Sequence, residues 1–208
     1  MKLNKPKIKE CNDKLLSESI RECEFFYSKY SDNIKEKCRI YDLVIDSCIF
    51  NNIDFSNIDF DKVELIDVIF NNCDLSNKVF DYTNLTRIEF NNCKLIGTSF
   101  ISSSLNDIRF NNCVMKYSNY SYARMSNILC DKCDMSYITF LETKLKNTNF
   151  NESNFSNSEI SNTALNEIDM STCNISSMMI DNYSLKGMII DKYQSYLLVS
   201  MLGVKIKE

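Results

Sequence analysis

"DVIFNNCDLSNKVF" (67–80) is followed by "RIEFNNCKLIGTSF" (87–100) and "DIRFNNCVMKYSNY" (107–120). Asn71-Asn72-Cys73, Asn91-Asn92-Cys93 and Asn111-Asn112-Cys113 are therefore 20 residues apart. A finer period lies inside this one. From Ile40 to Ile190 every position divisible by five is apolar, the Tyr120 hydroxyl aside. Five fits neither the 3.6 of a helix nor the 2.0 of a plain strand. Two places before each of these large residues stands a smaller or β-branched one, such as Cys48, Ile53, Val63, Cys73 or Thr83. Two inward residues flanking one outward residue make a short strand segment, and the remaining polar pair turns a corner. Asn, Ser and Gly suit such corners, some of which need a positive φ.

Four corners use 20 residues and close one coil. Residues 20 apart then stack about 4.8 Å apart, as neighbouring parallel strands do. The inward positions sort into four ladders. One holds Phe50, Phe70, Phe90 and Phe110, the next Phe55, Leu75 and Leu95, the third Phe60, Phe80 and Phe100, and the fourth Leu65, Leu85 and Leu105. Like side chains stack favourably along such ladders. The pattern predicts a four-sided parallel β-helix of about eight coils, a rod on the order of 35–40 Å long, with a filled interior that leaves no cavity for a ligand. Cys73, Cys93, Cys113, Cys133 and Cys173 share one inner ladder, where cysteine serves as a small hydrophobe. Lys78 falls on an inward position beside Ile58, Thr98 and Ser118. A buried, unpaired ammonium is costly, so the coil is expected to distort near 76–80 or the side chain to escape to solvent.

Composition narrows the function. Three glycines and one proline in 208 residues are too few for the turns of an ordinary sandwich or barrel. A formal charge of −4 argues against coating nucleic acid. No apolar run reaches the roughly 18 residues of a membrane span, and "MKLNKPKIKE" is too polar for a signal peptide. The cytoplasm is the expected location, with the ten cysteines reduced. The chain has no histidine, and Cys130-Asp131-Lys132-Cys133 is a lone CxxC with both thiols inward, so it reads as packing rather than a zinc site. A filled convex rod offers no pocket to perturb a catalytic pKa. Neither an enzyme nor a cofactor is expected.

"CDLSN" (73–77), "CKLIG" (93–97) and "SNFSN" (153–157) resemble the repeat of the pentapeptide-repeat family, and the resemblance spans at least residues 38–190. It implies an all-β fold, a right-handed quadrilateral parallel β-helix with a short C-terminal α-helix. "LKGMIIDKYQSYLLVSMLGVKI" (185–206) resembles the ending of the family's quinolone-resistance members. In those proteins this helix closes the coil stack and mediates dimerisation. Here Asp191 reads as its N-cap, Gly203 as its stop, and Tyr193, Leu197, Leu198, Met201 and Leu202 as the interface of a homodimer. The loops that interrupt the frame in many resistance proteins have no counterpart between 38 and 190.

The expected organisation is a basic segment (1–15), the β-helix (16–190, regular from about 38) and the C-terminal helix and tail (191–208). "SIRECEFF" (19–26) fits the frame through Ile20, Cys23 and Phe25, and "YSKYSDNIKEK" (27–37) reads as a polar excursion. The basic segment would drape over the first coil, whose strand edge needs covering. Residues 42–190 carry 19 acidic and 11 basic side chains. Outward acids concentrate on the first coils: Asp54, Asp59, Asp61, Glu64, Asp67, Asp74 and Asp81. The resemblance suggests a protein-binding rod that mimics DNA to a type II topoisomerase, DNA gyrase or topoisomerase IV. A solvated surface on a scaffold protein with an unrelated partner explains the same acids. The tyrosine pairs Tyr82 with Tyr122 and Tyr117 with Tyr137, each on one corner column, are candidate anchors. Ile49, Ile69 and Leu129 mark an apolar strip for a partner or for the N-terminal segment.

Overall fold

The computed structural model describes residues 3–201 together with 204 and 205. The expected corner is realised along most of the rod. Positive φ falls on every fifth residue from Lys62 to Glu167, for example at Lys62, Asp67, Asn72, Asn77, Tyr82, Arg87 and Asn92. Asparagine and aspartate tolerate this left-handed backbone better than other side-chain-bearing residues. That preference accounts for the Asn and Asp corners; Lys62, Tyr82 and Arg87 hold the same backbone without it. At Gly97, φ is +66°, and a Cβ would meet Asn77 Oδ1 at 2.6 Å, so a side chain here would have to displace the Asn77 amide.

Successive coils pair in parallel at an offset of 20: Phe50 with Phe70, Phe70 with Phe90, Phe90 with Phe110, and Phe110 with Cys130. The structure is a right-handed quadrilateral β-helix. The phenylalanine rings follow the backbone register. Phe70, Phe90 and Phe110 stack at 5.0 Å between centroids with planes within 5°. Outside, Asn71 donates to Asn51, Asn91 to Asn71 and Asn111 to Asn91 at 2.6–2.9 Å. This amide ladder links side chains along the axis much as the backbone bonds link strands.

The cysteine ladder does more than fill space. Each thiol donates to the carbonyl 23 residues earlier: Cys73 to Phe50, Cys93 to Phe70, Cys113 to Phe90 and Cys133 to Phe110, at 3.3–3.5 Å. Thr98 and Ser118 make the equivalent bond to Leu75 and Leu95. Where Cys, Thr or Ser fills the inward position, its donor hydrogen is thus satisfied by the preceding coil; Ile53, Val63 and Ile88 fill it with apolar bulk alone. Burial pushes the Cys48 thiol up to about 12 and the Cys130 thiol well above its ordinary value. Cys130 and Cys133 are both buried, as the packing reading of that CxxC requires.

The N-terminal boundary differs from expectation. "SIRECEFF" does not open the frame: Leu16–Glu22 is a helix, α1. Its Leu16 is buried, and Ser19 bonds the buried Tyr30 hydroxyl at 2.7 Å. Helix α1 therefore plugs the open end, a task for which the good helix formers Glu18, Arg21 and Glu22 are suited. The coil frame starts at Phe25, paired with Ile45, and Tyr30, paired with Phe50. The excursion consequently begins after Tyr30 rather than at Tyr27. At the other end, Asn182–Leu185 is a short helix, α2, and Gln194–Met201 is α3. No described helix is long and apolar enough to cross a membrane.

Candidate partner-binding surface

Lys78 reorganises the outer layer. Its side chain is only 6% exposed, so it has not escaped to water. Nor is it unpaired: Nζ donates to the Ile58 carbonyl at 2.9 Å and to Asp59 Oδ1 at 3.3 Å. That carbonyl is the one an ordinary coil bonds through its backbone. Ser99, Asn119 and Thr139 each donate N–H to Lys78, Thr98 and Ser118. Val79 has no such bond to Ile58 among the described residues. Pairs join Val79 to Ser99 and Ser99 to Asn119, but none joins Asp59 to Val79, and pairing between these coils resumes only at Leu65 with Leu85. The expected distortion is present as a notch in the rod's face. It has two adjoining hollows of about 630 Å³ and about 380 Å³, the larger lined by residues including Asp61, Glu64, Val79, Asp81 and Tyr82. The core beneath stays closed, since the Phe60 and Phe80 rings still stack at 5.3 Å. The interior is filled as expected; the outer shell is not continuous.

The seven candidate acids fall in three places. Asp59, Asp61, Glu64 and Asp81 surround the notch. Asp54 and Asp74 are neighbours on another face. Asp67 lies on a third corner, buried. Several are bonded within the chain. Asp61 pairs with Arg39, Asp74 with Lys94 at 3.4 Å, and Asp59 with Lys78. Glu64 accepts from Asn84 at 2.9 Å, and Asp81 accepts from Ser99 and from the Ile101 N–H. Exposed pairs of this kind contribute little to stability, but they divide an acidic track into short pieces.

Asp67 is withheld from any partner by a strap. Arg87 holds its carboxylate through two bonds of 2.6 and 2.7 Å, and the Lys7 N–H adds a third at 2.7 Å. Further along, Asn4 donates twice to the buried Asp107, and the Cys11 thiol bonds the Ser47 carbonyl. The N-terminal segment therefore runs along a corner across several coils rather than over the first coil alone. Leu3, Pro6 and Ile8 are half-buried while Lys5, Lys7 and Lys9 are exposed, so the strap turns an acidic corner into a basic one. Burial pushes the Asp67 carboxyl up, but the Arg87 and Lys7 bonds outweigh this and hold it below the usual range.

The C-terminal helix starts as Asp191 predicted. Asp191 accepts from the Tyr193 and Gln194 N–H groups, and Gln194 Oε1 accepts from the Asp191 N–H. This reciprocal arrangement is a capping box. The Gln194 amide then donates to the carbonyls of Met170 and Cys173 at 2.8 and 2.7 Å, tying α3 to the last coil. Leu198 packs on the core from the same side, so it closes its own rod. Tyr193 and Leu197 point away, 79% and 39% exposed. The Met201 side chain, Leu202 and Gly203 lie outside the described residues. Among the other candidates, Tyr117 and Tyr137 stack at 4.9 Å on an exposed corner. Tyr82 and Tyr122 are exposed, and Ile49, Ile69 and Leu129 are half-buried.

A distortion at Lys78 and a draped N-terminal segment were legible in the sequence, but the open notch that results and the strap's path along one corner were not. The signal for the notch was Lys78 itself, a cation in a column of Thr and Ser. The strap had weaker signals, the alternation of Leu3, Pro6 and Ile8 with lysines and two in-frame aspartates at Asp67 and Asp107.

A coil of this construction defines a class of protein, the pentapeptide-repeat solenoids. The family model for the pentapeptide repeat region matches residues 43–120, and that for pentapeptide repeats (8 copies) matches 133–175. The chain belongs to the pentapeptide-repeat family. No curated protein matches it significantly. Among solved structures it is similar to a trypsin-treated variant of QnrB1, a plasmid-mediated fluoroquinolone resistance protein. Identity is 21%, coverage 88% of this chain and 89% of that one, and the TM-score 0.53. It is also similar to HetL, a pentapeptide-repeat protein involved in heterocyst differentiation regulation in the cyanobacterium Nostoc sp. strain PCC 7120. There identity is 12%, coverage 77% and 90%, and the TM-score 0.48. At 21% identity the likeness to the QnrB1 variant is one of fold.

Proposed function

We propose that this chain is a non-enzymatic rod that binds another protein. The observation that carries the reading is the division of labour in the coil. Inward positions are consumed by stacking, and the outward residues vary along the rod to form a notched, charged and tyrosine-bearing surface. Such a surface suits recognition and offers no enclosed site for chemistry. The finer reading is a DNA mimic that binds the basic DNA-binding groove of gyrase or topoisomerase IV. Its support is the family resemblance and the acids of the first coils. Its test is a supercoiling assay with gyrase from the protein's own source, with and without ciprofloxacin. Inhibition or protection at micromolar concentration is expected. It should weaken at higher salt, because exposed charges are screened over about 8–10 Å. Neutralising Asp54, Asp59, Asp61 and Glu64 together should diminish it, and changing Lys144 and Lys146 should not. No effect at tens of micromolar (on the order of a −6 kcal/mol interaction) leaves the second reading, a scaffold with an unrelated partner. The local pairing of Asp59, Asp61 and Asp74 with cations favours that second reading.

The same proposal includes a homodimer through the outer side of α3. Tyr193, Tyr196 and Leu197 are exposed at the end of the rod, where an isologous contact would cover them. Leu197→Asp should halve the mass seen by light scattering without unfolding the rod, because Leu197, unlike Leu198, is not part of the cap. A parent that is already monomeric at micromolar concentration would overturn the dimer.

A further inference from the structure

We infer that the notch is the recognition groove of the rod and that it takes an extended, basic segment of a partner protein. This rests on the protein-binding reading above and adds a location and a chemistry to it. Three observations converge on the same few residues. The lips of the notch are strand edges whose pairing has lapsed between residues 58 and 64 on one coil and 78 and 84 on the next. The Val79 N–H lacks the bond its equivalents make, and the ammonium of Lys78 holds the carbonyl that would receive it. Exposed edges of this kind bind extended peptides through the main chain. The larger hollow gathers Asp42, Asp61, Glu64 and Asp81 with Lys62; even with Arg39 on Asp61 the acids outnumber the cations, so it favours a segment bearing lysine or arginine. Finally, Val79 lies exposed on one lip beside Tyr82, which is 80% exposed. These two give a basic side chain an apolar wall for its stem and a ring face for its charge.

The depth of the notch decides how the segment sits. The Phe60 and Phe80 rings remain in contact below it, so the segment lies in the groove between the lips and does not enter the core as a new strand. An extended chain sends alternate side chains to opposite sides. One set would face the acids, and the other would face solvent.

The test uses fluorescence anisotropy with a labelled octapeptide of alternating lysine and valine. The comparison peptides are its glutamate–valine counterpart and the lysine–valine peptide N-methylated at alternate amides. The decisive variant is Lys78→Thr. It places a Thr98-like side chain in the column, frees the Ile58 carbonyl for Val79 and closes the notch. This variant is expected to melt at or above the parent's Tm while binding the lysine–valine peptide at least about tenfold more weakly. Glu64→Lys, which leaves the backbone of the notch alone, should lose a similar factor and serves if Lys78→Thr fails to fold. Asp54→Asn with Asp74→Asn, on another face, should stay within about twofold. Equal binding by the parent and the notch variants overturns the inference. So does an equal loss from the Asp54 and Asp74 changes, which would mean attraction to net charge alone. Undiminished binding of the N-methylated peptide, or no binding of the lysine–valine peptide at about 100 µM, does the same. The topoisomerase assay can fail without touching any of these outcomes, because they are read with a peptide and no enzyme.

Discussion

Phe90→Ala is expected to lower the stability of the rod by about 3–5 kcal/mol, the range for truncating a fully buried phenylalanine. Phe90 is completely buried, with Phe70 above and Phe110 below at 5.0 Å. Its backbone pairs on both sides, and its carbonyl accepts the Cys113 thiol. The coil cannot collapse into the space, because strand spacing is held by the ladders at every other corner. In a solenoid each coil contacts only its neighbours, so stability is roughly a sum of coil and interface terms. A mid-rod truncation weakens two interfaces at once. Urea denaturation followed by circular dichroism measures the effect, and Phe90→Leu should cost less than about 1.5 kcal/mol. A loss below about 1 kcal/mol for the alanine variant would mean that the phenylalanine stack is not what holds adjacent coils together.

Asp67→Ala should be the most damaging change at a polar position. It leaves the Arg87 guanidinium without its carboxylate and the strap without the bond from Lys7. Removing one partner of a buried pair costs about 3–5 kcal/mol; Arg87 is partly solvated, so the lower end, about 3 kcal/mol, is expected here. The strap should become accessible to trypsin at Lys7 and Lys9 before the rod unfolds. The pH dependence has a defined sign. The folded-state carboxyl lies below its ordinary value, so its contribution is complete above the unfolded pKa of about 3.9 and is lost as pH falls through the folded value. Acid should therefore loosen the parent's strap, and Asp67→Ala should show a smaller loss of stability on acidification. Equal trypsin sensitivity of the parent and the variant at neutral pH would show that the strap is held by other contacts.

The sequence by itself determined the cross-section of this molecule. Five-residue spacing leaves one solution for the inward residues. Phe70, Phe90 and Phe110 had to stack, and the Asn-Asn dipeptides had to turn corners, because a repeat that holds for some thirty quintets reports the same local geometry each time. The N-cap at Asp191 was legible because its partners lie within three residues; that Gln194 completes a capping box came from the structure. The features that only the tertiary structure decided join residues far apart in the chain. Asp67 looked like a surface acid, but a segment 60 residues earlier covers it. Leu198 looked like an interface residue and belongs to the cap, because Gln194 ties the helix to Met170 and Cys173 and so sets which side of it meets the rod. Helix α1 was hidden in a segment where Ile20 and Cys23 mimicked a quintet just ahead of Phe25, where the frame begins. Lys78 was visible as a conflict, but not its outcome. A buried ammonium can distort its coil, leave it or capture a partner, and which occurs depends on whether a carbonyl of the preceding coil is within reach. Ile58 is, 2.9 Å away, and opening the notch is the consequence of meeting that demand.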